Sequence, residues 1–306
     1  KHTTLLLKAE MYLWAAKVSI NEYEATGKAD LIIAKEALKQ VEGKYELLQD
    51  FSTVFSQKNN KEIIFSLTFK DNEATNWASQ FVYSDNVFVG QRYDKGGNIL
   101  DDVLDLRGNG LLRHEYKSSL WDIYDEKDSR RDKTFFAHYD KEGKNQGLVL
   151  LKGIGIINSN GNRVYETDIV VYRYTDVLLM LAEIENGLGG DISPYINKVR
   201  ERAYGANFTN EYKYSNGTFE ENELAILAER DKEFVWEGKR WFDVVRLRDA
   251  NNESLVFDVR AGFANEPGAE VHAILNSSTE RHKLLWPVNV GTLNDDPLLK
   301  QTPGYE

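Results

Sequence analysis

Apolar residues near the start of the chain recur at the three- and four-residue intervals of one helix face, at Leu6, Ala9, Leu13 and Ala16. This spacing predicts a helix over residues 4–18, and a similar pattern predicts a second helix over 29–41 that stops near Gly43. Two further helices, over 174–186 and 193–203, form a second predicted hairpin. Each hairpin alone leaves its apolar face uncovered, so we expect the two to stack in the manner of tetratricopeptide repeats.

The middle of the chain has a different pattern. Residues 62–69 alternate apolar with smaller or polar positions, which predicts a strand, and the β-branched stretch 164–174 predicts an extended segment leading into the following helix. No helical period survives over 71–110, where Asn, Asp, Gly and Gln surround scattered aromatic residues. We interpret this interval as long loops with short strands. Loops of this length are often functional, and the aromatic content argues against disorder.

Charged and bulky apolar residues are densest over residues 224–248. Glu229, Glu233 and Glu237 recur at four-residue spacing, so on one helix face they repel one another unless cations lie nearby. The nearest cations in sequence are Arg230, Lys239, Arg240, Arg246 and Arg248. Gly238 can end a helix, and a second short helix can begin after it. The segment is therefore predicted to be a helical corner held by an ion network.

Composition narrows the classes of function. A formal net charge of −11 argues against a nucleic-acid partner. The chain has no cysteine, which excludes disulfides, cysteine-based zinc sites and thiol nucleophiles, and its five histidines show no metal-ligand spacing. We therefore predict neither a metal site nor a cofactor. No stretch approaches the ~20 apolar residues of a membrane-spanning helix.

Several motifs carry a family resemblance. The pattern ER-x-x-EF-x-x-EG-x-RWFD-x-x-R, which starts at Glu229, resembles the C-terminal signature of the SusD/RagB family of outer-membrane glycan-binding lipoproteins. Earlier blocks and the closing Pro303-Gly304-Tyr305 are similar to other family motifs. We assign the matched positions a structural role: Arg173, Asp176, Glu183, Arg200, Arg202, Glu229, Arg230, Glu233, Glu237, Gly238, Arg240, Trp241 and Asp243. Arg173 and Asp176, one helical turn apart, can pair.

The resemblance implies a mostly α fold with stacked tetratricopeptide-like hairpins, long irregular loops and a few short strands. We expect one SusD-like domain over 1–306, with a helical hairpin in 1–48, a ligand region in 49–170 and the helical signature region in 171–306. The chain would be roughly the C-terminal two-thirds of such a lipoprotein, without the lipid-modified cysteine and the first helical repeats. The implied setting is the surface of a Gram-negative outer membrane, where a lipid anchor on the upstream part is the only membrane attachment. The implied partners are a glycan and a TonB-dependent transporter of the SusC type.

A sugar-binding site needs an aromatic ring for the apolar sugar face and polar groups for the hydroxyl rim. The loop-rich region supplies both, and our candidate glycan-binding residues are Trp77, Tyr83, Tyr93, Trp121, Tyr124, Asn76 and Arg92. The alternative is that Trp77 and Trp121 fill a small core beneath the loops. The remaining tryptophans are predicted to pack in the core: Trp14, Trp236, Trp241 and Trp286.

Two other functions remain open at this point. The abundant carboxylates could belong to a glycoside hydrolase, which uses an acid and a base or nucleophile. Neighbouring arginines would instead keep such carboxylates ionised, so we predict that the protein is not an enzyme. A helical-repeat scaffold that binds peptides is the third possibility, but two hairpins are fewer than the three repeats such arrays need.

Overall fold

The computed structural model describes residues 1–20, 23–265 and 268–305. In chain order the α-helices are α1 (His2–Lys17), α2 (Lys28–Lys39), α3 (Thr53–Ser56), α4 (Asp85–Phe88), α5 (Ser119–Asp122), α6 (Arg131–Thr134), α7 (Tyr174–Leu188), α8 (Ser193–Tyr204), α9 (Phe219–Glu233), α10 (Arg240–Arg246) and α11 (Val290–Asp295). The strands are β1 (Ile63–Leu67), β2 (Phe135–Tyr139), β3 (Asn145–Leu150), β4 (Ile156–Ile157), β5 (Arg163–Val164) and β6 (Ile169–Arg173). The predicted fold class, mostly helical with a few short strands, is confirmed.

Helix α7 is the centre of the main core. It contacts α1 and α2 on one side and α8 and α9 on the other, and Leu179, Leu181 and Ala182 are fully buried. The hairpins α1–α2 and α7–α8 therefore stack through α7, as their uncovered apolar faces predicted. Helix boundaries differ from the predicted ones by no more than two residues. Within the described residues, no helix is long and apolar enough to cross a membrane.

In the described part of the chain the strands form three antiparallel pairs: β1 with β6, β2 with β3, and β4 with β5. The predicted strand at 62–69 is β1, and its partner β6 is the extended segment that leads into α7. The prediction of short strands over 71–110 was wrong: this part of the chain contains the short helix α4 and, in place of strands, isolated bridges such as Tyr93 with Ile99. Aspartates close its turns instead. Asp102, for example, accepts hydrogen bonds from the backbone N–H groups of Leu106 and Arg107.

Two small cores lie beneath the loop-rich region. One contains Tyr83 stacked on Phe88, with ring centroids 3.8 Å apart. The other contains Tyr124 and packs against the β2–β3 hairpin. Trp236, from the turn after α9, packs against both. The corner therefore joins the loop-rich region to the helical core.

The helical corner exists, but its break lies earlier than predicted. Helix α9 ends at Glu233, and the turn after it contains Trp236 at φ 66° and Gly238 at φ 72°. Glu237 is consequently not on the helix that carries Glu229 and Glu233, and the expected three-carboxylate helix face is a two-carboxylate face plus one turn residue. A bulky residue in the left-handed region is uncommon and costs backbone energy, so the packing of Trp236 must hold it there.

A buried ion network surrounds Glu233. Its carboxylate oxygens lie 2.9 Å from Arg130 Nη1 and 2.7 Å from Arg173 Nη1, and Arg202 also donates to it. Arg173 reaches Glu62 at 2.8 Å in addition. The side chains of all five residues are at most 3% exposed. Although burial opposes ionisation, these arginines hold the pKa of Glu233 well below its usual range.

The cations that neutralise these glutamates are therefore not the expected neighbours in sequence. Glu237 pairs with Lys152 and Arg173, and Glu229 with Arg130 and Arg200. The five predicted cations are engaged elsewhere: Arg230 with Asp243, Arg246 with Glu183 and Asp243, Arg240 with Asp231, Lys239 with Asp176, and Arg248 with the carbonyl of Lys17. An ion network holds the corner, but most of its members come from distant parts of the chain.

Arg173 and Asp176 interact through the backbone of Arg173 and form no salt bridge. Asp176 accepts the backbone N–H of Arg173 at 2.9 Å, as a cap at the start of α7, and its carboxylate pairs with Lys239 at 3.0 Å. The Arg173 guanidinium points to the glutamates instead. The first N–H groups of a helix lack partners within the helix, and the Asp176 carboxylate satisfies one of them.

Candidate functional site

A cleft of ≈ 430 Å³ lies between the helical corner and the loop-rich region. We call it the aromatic cleft; its apolar lining is Trp77, Tyr116, Leu120, Phe234, Val235, Trp236 and Trp241. Its polar lining comes from the corner and includes Asp231, Lys239 and Arg240. A mostly apolar cleft with a few fixed polar groups is the usual form of a small-ligand site, and this volume lies in the roughly 300–1,000 Å³ range of such sites.

The backbone at Trp77 is held in place by its buried neighbour, Asn76. The Asn76 amide donates to the carbonyl of Thr167 at 2.9 Å and accepts the N–H of Ala78 at 2.8 Å. The backbone N–H of Asn76 donates to Tyr165 at 2.8 Å. With its backbone fixed, the Trp77 side chain remains 50% exposed at the cleft. An exposed ring on an anchored backbone is a ready platform for an apolar sugar face.

Trp236 lies at the back of the cleft because Gly153 leaves room for it. A Cβ at Gly153 would lie 2.5 Å from Cη2 of Trp236 and 2.6 Å from Cβ of Ala78. Both distances are shorter than van der Waals contact. Because Gly153 has no side chain, Trp236 can approach the backbone there, pack against both small cores and line the cleft.

We expect Gly153→Val to lower the free energy of unfolding by about 1–3 kcal/mol, because the added carbons overlap with Trp236 and Ala78. Urea unfolding measures the change, and tryptophan fluorescence reports displacement of the ring. Ala250→Val, which adds carbons at an exposed turn, serves as the control. If the two variants were equally stable and equally fluorescent, Gly153 would not be needed to seat Trp236.

The charges of the aromatic cleft are compensated within the protein. Arg240 holds Asp231 with two contacts, at 2.7 and 3.3 Å, and stacks over Phe263 at 4.6 Å. Burial raises the pKa of Asp231 to about 6, although Arg240 opposes that rise. Arg230 and Lys239 are paired with Asp243 and Asp176. The cleft thus presents aromatic surface and hydrogen-bonding groups without an unpaired charge among the described residues.

Of the seven candidate glycan-binding residues, only Trp77 lines the aromatic cleft. Tyr83 is 1% exposed and donates to Asp102, and Tyr124 is buried with its hydroxyl donating to the carbonyl of Lys232 at 2.8 Å. These two and the buried Asn76 support the loops from beneath, so their predicted contact with a sugar is not compatible with their burial.

The other three candidates are partly buried and lie outside the cleft lining. Trp121 packs in the small core around Tyr124, with the Arg131 guanidinium 4.8 Å from its ring centroid. Tyr93 pairs through its backbone with Tyr139, and the Arg92 guanidinium donates to the carbonyl of Gln91 at 3.4 Å. For Trp121 the alternative expectation, packing beneath the loops, describes the structure better.

Sequence reasoning missed most of the aromatic residues that line the cleft. Tyr116 was not selected, and Trp236 and Trp241 were predicted to pack only in the core, whereas both line the cleft. Trp286, also predicted to be in the core, is 78% exposed. The one feature of the sequence that could have pointed to Trp236 and Trp241 as cleft residues was their position within the charged corner. In the described part of the chain no group of three or more His, Asp or Glu side chains could hold a metal ion.

Comparison with known proteins is consistent with this architecture. The model of the SusD family matches residues 50–305. The chain is 34% identical to SusD-like protein P2 of Formosa agariphila over 156 residues, 49% of this chain and 28% of that protein. It is 30% identical to the starch-binding protein SusD of Bacteroides thetaiotaomicron over 141 residues, 46% of this chain and 22% of that protein.

Solved structures agree over the whole chain. A SusD superfamily protein from Bacteroides fragilis superposes with a TM-score of 0.90 at 39% identity, covering 100% of this chain and 65% of that one. NanU from B. fragilis gives 0.82 at 31% identity, covering 100% and 63%. The chain thus spans about a quarter of the length of the curated relatives and just under two-thirds of the solved ones. On the family match and these superpositions, the chain belongs to the SusD family.

Proposed function

We propose that this protein binds a glycan in the aromatic cleft, with the Trp77 ring against an apolar sugar face. The observation that carries the proposal is the Trp77 side chain, half exposed at a cleft that also contains Trp236 and Trp241. The indole N–H of Trp77 has no hydrogen-bond partner within 1–20, 23–265 and 268–305, so it is available to a sugar hydroxyl. The relative named as a starch-binding protein supports a carbohydrate as the ligand class.

The proposed setting follows from the family. We infer that the complete protein is an outer-membrane lipoprotein on the surface of a Gram-negative bacterium, and that it delivers the glycan to a TonB-dependent transporter of the SusC type. Capture followed by delivery requires release as well as binding. A cleft that offers one exposed ring and a few polar groups suits modest affinity, because binding energy depends on the quality of a few contacts more than on area.

We also infer that the protein acts on its ligand by binding alone. Glu229, Glu233 and Glu237 are the closely spaced carboxylates that a hydrolase could have used, but their side chains are at most 2% exposed and ion-paired. Asp231 lines the cleft but is bound by Arg240. Incubation with the bound glycan should therefore release no new reducing ends; measurable release would contradict binding alone.

The proposal is tested by Trp77→Ala. Loss of a central aromatic anchor commonly costs about 2 kcal/mol or more, equivalent to about thirtyfold in affinity. We expect that loss in calorimetric titrations against soluble neutral polysaccharides, with starch and laminarin included. The expected ratio applies to whichever glycan the unaltered protein binds.

Trp286→Ala is the matched control, because Trp286 is more exposed than Trp77 and does not line the cleft. It should retain the affinity of the unaltered protein, and Trp77→Phe should retain part of it. Unchanged affinity in folded Trp77→Ala, or an equal loss in both alanine variants, would move the glycan site away from the aromatic cleft.

A further inference from the structure

A second cleft, of ≈ 370 Å³, adjoins the aromatic cleft. We call it the polar cleft; its lining includes Glu115, Tyr116, Ser118, Lys144, Gln146 and Asn265. Tyr116 lines both clefts. The shared lining residue makes the two clefts neighbours.

Three separate segments build the polar cleft, and the structure ties them together. Tyr116 forms a backbone bridge with Leu148 of β3, which brings the loop beside the β2–β3 hairpin. On the other side, Lys117 Nζ and Ser119 Oγ each donate at 2.9 Å to the backbone carbonyls of Phe263 and Ala264. These bonds place Asn265 at the cleft. The polar cleft is thus a connected part of the fold.

Tyr116 is suited to contact a ligand at the junction. Its ring is held by Phe81 and Phe135, with centroids 5.6 and 5.1 Å away. Its hydroxyl has no hydrogen-bond partner among the residues the structure describes. Burial raises the pKa of this phenol, so it remains a protonated donor at neutral pH. A fixed ring with an unused hydroxyl can support one sugar and hydrogen-bond the next.

The charges indicate a neutral ligand. In the aromatic cleft each cation is already paired with a carboxylate. The polar cleft carries both signs: its lining includes Glu115 and two lysines, Lys117 and Lys144, and Lys117 Nζ is bonded to the carbonyl of Phe263. Its remaining groups include a hydroxyl and amides. Among the described residues, an anionic sugar would find no unpaired arginine in either cleft, and in the polar cleft it would meet the carboxylate of Glu115 as well as the ammonium of Lys144. The hydroxyls of a neutral sugar can exchange bonds with the amides at little cost.

We propose that the two clefts are subsites of one groove and that the ligand is a linear neutral oligosaccharide which crosses Tyr116. The inference rests on the proposed glycan-binding function and adds the length and charge class of the ligand. Each cleft alone has the volume of a small-molecule site. Occupation of both therefore needs several linked sugar rings, since one ring in the aromatic cleft leaves the polar cleft empty.

The experiment is a length series. Neutral oligosaccharides from disaccharide to hexasaccharide, of the linkage in the polysaccharide that binds most tightly, are titrated calorimetrically into the protein and three variants. Gln146 lines the polar cleft but not the aromatic cleft, and Gln146→Ala removes its amide together with the hydrogen bond of that amide to Asp140. Tyr116→Phe removes the junction hydroxyl. Gln57→Ala, an exposed glutamine that lines neither cleft, is the matched control.

Affinity should rise with length and then level off. One lost hydrogen bond is worth about 0.5–1.5 kcal/mol, or about two- to twelvefold. We expect Gln146→Ala and Tyr116→Phe to weaken the hexasaccharide by such a factor and to leave the disaccharide unchanged, with Gln57→Ala altering neither. A polygalacturonate fragment of similar length should bind more weakly than the neutral hexasaccharide.

The outcomes separate this inference from the proposed function. If glycan binding depends on Trp77 but affinity does not change with length, or Gln146→Ala affects the disaccharide as much as the hexasaccharide, the two-subsite groove is wrong and the glycan-binding proposal stands. Tighter binding of the anionic fragment would overturn the neutral class. If no polysaccharide binds, both proposals fail together.

Discussion

Glu233→Ala is expected to lower the free energy of unfolding by about 3–5 kcal/mol, the cost typical of removing one partner from a buried ion pair. The carboxylate of Glu233 lies within 2.9 Å of Arg130 and Arg173, and Arg202 is bonded to the same group. Without it, three buried guanidinium groups lose a shared counter-charge. Solvent has little access to the vacated position, because the side chains of all three arginines are at most 3% exposed.

Urea unfolding followed by circular dichroism measures the change, provided that the slope with denaturant is the same in both proteins. Glu46→Ala is the matched control, since Glu46 pairs with Lys61 at 3.2 Å in a largely exposed bridge. Exposed pairs contribute about 0–1 kcal/mol, so this variant should be nearly as stable as the unaltered protein. A loss for Glu233→Ala as small as that of Glu46→Ala would contradict a stabilising role for the network.

Leu181→Ala should lower the free energy of unfolding by about 2–5 kcal/mol. Leu181 is fully buried on α7, the helix that joins the two hairpins. Truncation removes apolar contacts and leaves a cavity that the surrounding helices fill only in part. The size within this range depends on how far they relax.

The same urea titration measures this second change, with Leu7→Ala as its control. Leu7 lies on α1 and is half exposed, so its truncation leaves no internal cavity. It should alter stability by no more than about 0.5 kcal/mol. Equal losses at the two leucines would show that α7 is less tightly packed than its burial implies.

The helical half of the fold could be predicted because its signal is local. The spacing of Leu6, Ala9 and Leu13 defines an apolar helix face whatever packs against it. The long apolar run of α7 likewise indicates a helix that other elements must cover. The partners of Glu233 and Glu237 could not be derived in the same way. Arg130 and Lys152 reach them from about a hundred residues away, so their proximity depends on the completed fold.

The site was predicted only in part for a related reason. Trp77, Tyr83 and Trp286 are aromatic residues in or near irregular segments, yet the first is half exposed, the second buried and the third almost fully exposed. Residue type sets the apolar area of each, but the surrounding loops set its accessibility. Those loops are held by aspartate-closed turns and by contacts with α9 and β3, none of which has a periodic pattern in the sequence.

The ion pairs also determine how the molecule can come apart. Lys17 from the first hairpin binds Glu223, Lys152 from the loop-rich region binds Glu237, and both bonds are buried. Detaching either region would leave a charge unpaired inside the remainder, which costs several kcal/mol. Partial opening is therefore unfavourable. Proteases cleave locally unfolded segments. Cleavage in the segments that carry these charges should therefore require global unfolding of the protein.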